Sequence, residues 1–532
     1  MRTNLKQKIS RILLFGFEPY HSRFSIWYML IIIFCMSLYY NYQEILFFRP
    51  QSIHQWRQCY GLSYTLNYYQ DNNSLLQPAL HFIGSDGTGK AASEFPLLYY
   101  LIAKLWKVFG YHEYIFRLVY LSIFLIGLIL LMKIFEDILQ DSFLAITFPL
   151  LLFTSPMVVY YAINFLPNTP SLGFVMIGWY LFWLFYKTEK NIFLWLSFLV
   201  FTLAGLLKVT AIISMVTLLA IFCLEATGIS KFRKGDRLFK HPFVQWIPFI
   251  LSFGLIFSWY LYANYYNDLH KVEHLTIGIR PIWKLTMGQI NNHYQGIREQ
   301  IKWSYFHKSI YWFMMAVFTL IIVTYNKANK LLLFLTLFIF LGTICFILLY
   351  FSVLFQHDYY IIDLLILLPI ICLTLMSVFK NYYPALFKSI FLKLVIVILL
   401  IINADFAKRR MTERFSMSWM NDNYLLNIKR FENITPYLRS IGIGHDDRVL
   451  CLPDESPLIT LYFMNQKGWT NFSTDLDSTK ISWKINAGAD YLFIYIDSIN
   501  DNPNIKPFIK NKIGEINDID IYDISSFRIN KD

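Results

Sequence analysis

Ser93-Glu94-Phe95-Pro96-Leu97-Leu98-Tyr99-Tyr100, followed by Phe109-Gly110-Tyr111-His112-Glu113-Tyr114-Ile115-Phe116-Arg117, closes a polar segment from about residue 43 to 113 that separates two long apolar runs. Those runs, near 24 to 42 and 114 to 132, are each long enough to cross the hydrocarbon core of a bilayer as a helix, so the segment between them is a loop at the membrane edge. Near its start it carries His54-Gln55-Trp56-Arg57-Gln58. Ionisable and aromatic residues therefore crowd one loop, and a plain connector does not need that composition.

Further apolar runs of spanning length lie near 143 to 161, 170 to 186, 191 to 207, 209 to 226, 243 to 262, 309 to 325, 331 to 353, 361 to 379 and 389 to 403. The total is about eleven spans. Over the 532 residues, 56% are hydrophobic, 19% aromatic and 15% charged, with a mean hydropathy of +0.44, which excludes a chain that is water-soluble throughout. A net charge of +12 invites nucleic acid as a partner. The Lys and Arg residues form no long tract but fall mostly in short loops between apolar runs, so topology accounts for the charge and no nucleic-acid partner is expected. The six cysteines (Cys35, Cys59, Cys223, Cys345, Cys372, Cys451) show no CxxC or Cys/His spacing and are read as structural.

Arg2, Lys6, Lys8, Arg11 and Arg23, then Lys231, Arg233, Lys234, Arg237 and Lys240, then Lys327 with Lys330, and Lys380, Lys388 and Lys393 fall on one side of the eleven-span count. The positive-inside rule makes that side cytoplasmic. The first apolar run is long and lacks a small-residue cleavage pattern after it, so it is expected to stay as a signal anchor. Outside then lie the loop from 43 to 113, a second loop from about 263 to 307, and the tail from 404 onward. That tail is polar and alternates β-like runs (Val449 to Leu452, Tyr491 to Tyr495) with helix-compatible stretches such as Ser456 to Met464. It reads as a small α/β domain over 404 to 532 appended to a membrane domain over 1 to 403. Gly442-Ile443-Gly444 lacks the third glycine of a dinucleotide fingerprint and reads as a turn.

The order of these features resembles the GT-C membrane glycosyltransferases, among them the aminoarabinose transferases and protein O-mannosyltransferases. The resembling residues are Glu94 to Tyr100, Phe109 to Arg117, the outer-end segment Asn164-Phe165-Leu166-Pro167-Asn168-Thr169-Pro170, and His357-Asp358-Tyr359-Tyr360. The resemblance implies a GT-C-like bundle of about eleven helices with an extracytoplasmic α/β domain in a bacterial inner membrane. It also implies transfer, with inversion, of a sugar from a polyprenyl-phosphate carrier to a glycan, lipid or protein acceptor on the outer face.

Such a reaction needs a carboxylate to take the acceptor's proton and cations to meet the departing phosphate. Family members place an acidic residue early in the first loop, whereas His54-Gln55-Trp56-Arg57-Gln58-Cys59-Tyr60 contains none. Glu94 is the first candidate base, followed by Glu44, Asp86 and Asp358, with His54 an alternative; a carboxylate at Glu94 also suits a helix start before Pro96. Arg57 reads either as a phosphate clamp beside Trp56 and Gln58 or as a surface arginine stacked on Trp56. Lys208, between two apolar runs at the outer side, either binds phosphate or snorkels to the interface. Arg117, His357, Asp358 and Tyr360 complete the candidate substrate-binding set, and an aromatic-belt anchor is the other reading of the His357 to Tyr360 cluster. Gly84-Ser85-Asp86-Gly87-Thr88-Gly89 lacks the Lys-Ser/Thr end of a P-loop and reads as a gating loop or a connector.

Arginine and lysine can neutralise a single phosphate without help, and no dense outer carboxylate cluster offers itself to Mg²⁺ or Mn²⁺, so a divalent metal is an optional partner. A flippase for lipid-linked saccharides is the competing class, but it would carry several charges in mid-span. A non-catalytic glycan-binding relative is the third, and it is kept open by the missing acidic residue near Trp56.

Overall fold

The structure, a computed structural model, describes residues 22–233, 236–275, 278–472, 474 and 476–528. Arg2, Lys6, Lys8, Arg11 and Lys234 of the basic groups lie outside the described residues. The chain divides into two compact units, one of residues 1–46, 117–258 and 278–412, the other of residues 47–116, 259–277 and 413–532.

The first unit holds the membrane spans. Among the described residues seven helices are long and apolar enough to cross a bilayer: Glu113–Leu139, Asn168–Thr188, Val209–Ala226, Pro242–Leu269, Lys330–Leu354, Asp358–Tyr382 and Ile390–Phe415, several of them running past the unit's boundary. Met287–Tyr305 and Lys308–Val323 form a pair bent by 100°, while Ser25–Tyr39 and Asn191–Leu207 are shorter apolar helices. The protein is thus a multi-pass, α-helical membrane protein.

The run at 143 to 161 is not one span. Asp141 caps Ser142–Leu150, accepting from the Leu144 amide at 3.0 Å, and a 3-10 turn, Leu152–Thr154, precedes a second short helix, Pro156–Ala162. Pro149 and Pro156 break the backbone ladder there, and a break within the membrane persists only if its polar groups find partners. The Asn403 side chain supplies them, donating to the Thr154 carbonyl at 2.9 Å and to its hydroxyl at 2.7 Å. Asn403→Leu is expected to destabilise this unit by about 1–3 kcal/mol, seen as a lower melting temperature in detergent.

Close approach rather than polarity joins Glu113–Leu139 to Asn168–Thr188. A Cβ built on Gly127 would lie 2.5 Å from the Gly173 carbonyl oxygen, and one on Gly173 2.7 Å from that of Ile123. This is a small-residue helix contact, with no room for a methyl group. Gly173→Leu is therefore expected to abolish the monodisperse peak in size-exclusion chromatography.

The second unit is built on a five-stranded sheet of order β2-β1-β3-β5-β4. The strands are β1 (Arg448–Leu452), β2 (Lys467–Trp469), β3 (Tyr491–Ile494), β4 (Lys512–Ile516) and β5 (Ile519–Asp523). β1 runs parallel to both β2 and β3, which requires crossovers. The chain makes them with the helices Ile459–Met464 and Ser478–Asn486. β5 lies antiparallel to β3 and β4, and Asn517 and Asp518, both at positive φ, form the two-residue turn that precedes it.

The division expected at 403/404 differs from the one observed. The loop from 47 to 116 belongs with the tail because its backbone extends the tail's sheet: the Ile83 amide donates to the Gly468 carbonyl at 3.1 Å and the Gly468 amide to the His81 carbonyl at 3.0 Å. Trp469 adds an indole hydrogen bond of 2.8 Å to the Gly84 carbonyl. The glycine-rich stretch read as a gate or connector is thereby fastened to β2.

Candidate functional site

In the second unit two of the sequence candidates, Arg57 and Glu94, come together. The helix Gln55–Gln70 starts at His54, whose left-handed φ of 57° turns the chain so that Arg57 sits in its first turn. Glu94, 7% exposed, lies just before Leu97–Phe109. One Arg57 nitrogen, Nη2, donates to both carboxylate oxygens, at 2.7 Å to Oε1 and 2.5 Å to Oε2, while the Tyr99 hydroxyl donates to Oε1. Tyr60 places its ring 5.7 Å from the Arg57 guanidinium carbon, and Tyr64 stacks on Tyr99 at 5.6 Å. No side chain caps Leu97–Phe109, so the capping role considered for Glu94 gives way to an ion pair. The arrangement is a buried carboxylate that pairs with a cation and accepts from a phenol, so moving the cation changes what the acid can do.

The remaining loop candidates are spread out. His54 and Trp56 line a cleft of about 340 Å³ together with Trp419, Tyr424 and Glu455. Gln58 turns its amide to the backbone, 2.6 Å from the Gln51 carbonyl, and so fastens the turn that carries Arg57. Asp86 sits 2.7 Å from the His270 ring and accepts from Thr88. Partial burial alone would raise its pKa, but the hydrogen bonds from Thr88 and His270 outweigh it and hold the carboxyl below its usual range.

Behind this cluster His81 is fully buried, its Nδ1 2.8 Å from the Ser63 hydroxyl and its Nε2 3.3 Å from Asn465 Oδ1. Burial lowers its pKa to about 4. The folded unit thus keeps His81 neutral where the unfolded chain protonates it, so its contribution is complete above pH 6.5 and lost as the pH falls toward 4. The loss is on the order of 3 kcal/mol. Thermal melts at pH 7 and pH 4.5 check it, and the difference is expected to shrink in His81→Gln.

In the membrane unit a second cluster forms. Asp358, buried, accepts from the Tyr161 hydroxyl at 2.6 Å, and the Asn168 amide donates to the Tyr359 carbonyl at 3.0 Å, so the segments 164 to 170 and 357 to 360 come together. His357 stacks obliquely on Tyr359 and meets Tyr360 edge-on at 5.2 Å. Lys208 holds its ammonium 5.8 Å from the Tyr359 ring centre and lies within electrostatic reach of Asp363, itself buried and hydrogen-bonded by Thr210. A 3-10 stretch of nine residues, Asp358–Ile366, carries both acids, a length unusual for this helix type. Arg117, 1% exposed, donates to the Ile45 carbonyl and stacks over Phe165 at 4.3 Å.

Sequence reasoning missed Tyr161, Thr210, Asp363 and His270. The signal for Asp363 was available, since an acid inside the apolar run 361 to 379 is costly in a bilayer and marks a site. The others are common residues whose partners are remote in sequence. Among the described residues no three His, Cys, Asp or Glu side chains gather as a metal's ligands would.

These features define a polytopic, α-helical membrane protein with a small five-stranded sheet. No protein-family model and no curated sequence matches the chain. Among solved structures, ArnT from Cupriavidus metallidurans, apo and bound to undecaprenyl phosphate, superposes with a TM-score of 0.58 at 8% identity, over 95% of this chain and 99% of that one. The arabinofuranosyltransferase AftD from Mycobacteria gives a TM-score of 0.55 at 12% identity, over 97% of this chain and 41% of that one. At these identities the likeness is one of fold.

Proposed function

We propose that the protein is a polyprenyl-phosphate-sugar glycosyltransferase acting on the outer face of a bacterial inner membrane, with its N-terminus cytoplasmic and its C-terminal domain, 404 to 532, extracytoplasmic. The observation that carries this reading is the buried Arg57, Glu94 and Tyr99 cluster, set in a fold shared with ArnT, one structure of which holds undecaprenyl phosphate. Glu94 takes the proton of the acceptor hydroxyl. The acceptor oxygen bonds to the anomeric carbon from the face opposite the carrier, the bond from that carbon to the phosphate oxygen breaks, and the carrier phosphate leaves with the electron pair.

Arg57 gives the reaction its order. A guanidinium that holds both oxygens of Glu94 competes for that carboxylate with any incoming proton, so Glu94 is a poor base while paired. A donor phosphate that draws Arg57 away releases the base only once donor is bound. Lys208 serves as a further donor-binding cation, and Arg117, His357, Asp358, Tyr360, Trp56 and Gln58 bind or position substrate. His54 and Asp86 are the alternative bases.

The test is transfer of labelled sugar from a panel of polyprenyl-phosphate hexoses and pentoses to envelope lipid, glycan and protein acceptors by the purified protein. Turnover with one donor and an inverted linkage is expected. No transfer from any donor in the panel would overturn the reading.

A further inference from the structure

We propose that a cleft in the second unit binds an anionic saccharide, with Lys484 as its counter-ion and an aromatic wall of Trp483, Phe82 and Phe472 against the sugar ring. The cleft, of about 220 Å³, is lined by the Gly84 to Gly89 loop, the segment 270 to 274, Trp469 at the end of β2, and the helix Ser478–Asn486. It is smaller than a drug-sized site of about 300–1,000 Å³ and suits a single ring. Arg57, Glu94 and Tyr99 are not among its lining residues, and the proposal goes beyond the transferase reading by naming a ligand class there.

Lys484 breaks the pattern of its helix. Ile481 and Ile485 bury one face in the sheet's core, and Lys484, on the same face, is only 5% exposed. Its ammonium donates to the Thr470 carbonyl at 2.6 Å and the Thr474 hydroxyl at 3.0 Å, both neutral. Among the described residues no carboxylate comes within ion-pair distance of it. Among the described residues its acceptors are neutral, which compensates a buried cation poorly, and burial draws its pKa down to about 8. A local violation of this kind is expected where a ligand completes the site.

Two further features define what the ligand is. The Nε2 of His274 is buried and has no partner among the described residues, while its ring meets Phe82 edge-on at 5.2 Å. An orphan polar atom beside aromatic walls asks for a ligand with polar edges and an apolar face. Trp483, 46% exposed, offers such a face. Asp86 and Glu273 line the same cleft, and Lys90 and Lys271 line it too, so the two surface carboxylates are matched by two further cations besides Lys484. A pyranose carrying a carboxylate or a phosphate meets all of these demands. An acyl chain would leave the lysine and histidine unmet, and a bare anion would leave the aromatic wall unused.

The full-length protein in detergent is titrated with digalacturonic acid, its neutral counterpart galactobiose, glucose 6-phosphate and inorganic phosphate, followed by tryptophan fluorescence and saturation-transfer NMR. Acidic sugars are expected to bind at least about tenfold more tightly than galactobiose. Lys484→Met should erase that preference, and Trp483→Ala, at an exposed position that tolerates truncation, should weaken every sugar. Binding of uronate alone or of both acidic sugars supports the proposal. Inorganic phosphate binding as tightly as the sugars would reduce the cleft to a simple anion site, and equal binding of neutral and acidic sugars, no sugar binding, or an unaltered Trp483→Ala would each overturn it. The readout is equilibrium binding, so it stands whether or not the chain transfers sugar.

Discussion

Glu94→Gln is expected to lower kcat for sugar transfer by about 10²–10⁴-fold while leaving donor KM within a few fold of wild type. The amide has the size of the carboxylate and still accepts hydrogen bonds from Arg57 and Tyr99, so the fold should survive. What it loses is the capacity to take a proton. Glu94→Asp provides the contrast, since it keeps the base but withdraws it by one methylene, and intermediate activity is expected. A folded Glu94→Gln protein with wild-type kcat would remove Glu94 as the base and direct attention to His54 and Asp86.

Lys208→Ala is expected to raise donor KM by about tenfold or more, with a smaller change in kcat, because one charge-assisted contact to a phosphate contributes about 1.5–3 kcal/mol. Lys208 follows the last turn of Asn191–Leu207, and its backbone is extended there, which sends its side chain to the Tyr359 ring. An ammonium beside an aromatic face and within reach of Asp363 has a fixed place. Lys208→Arg should recover most of the donor affinity. Full affinity in Lys208→Ala, with reduced stability only, would instead make the lysine an interfacial anchor.

How far the sequence carries depends on which forces set each element. Each apolar run holds helix in the described residues, and seven of the helices reach spanning length, because apolarity is a local property that a linear reading captures. The break at 149 to 156 is also local, marked by Pro149 and Pro156, but its tolerance depends on Asn403, far along the chain, and no window of sequence holds both. The strands at Val449 and Tyr491 are legible as β-branched and aromatic runs. The pairing of His81 with Gly468 is not, since one strand-like residue beside a loop histidine carries no periodicity. At the site, Glu94 and Arg57 were visible as residue types. Their ion pair was not, because thirty-seven positions separate them and only the packing of two helices brings them together.

The stitching of the first loop to β2 bears on how the protein is made. Residues 81 to 84 leave the ribosome long before Gly468 and Trp469 exist, so the backbone groups of that loop that will pair with them wait, without their partner strand, through insertion of nearly the whole helical bundle. The unit can close only after the last span has been threaded and the tail delivered. A nascent chain stalled before residue 448 should therefore expose this loop to protease, and a chain extended past the sheet should protect it. The loop's order thus depends on residues 385 positions further along the chain.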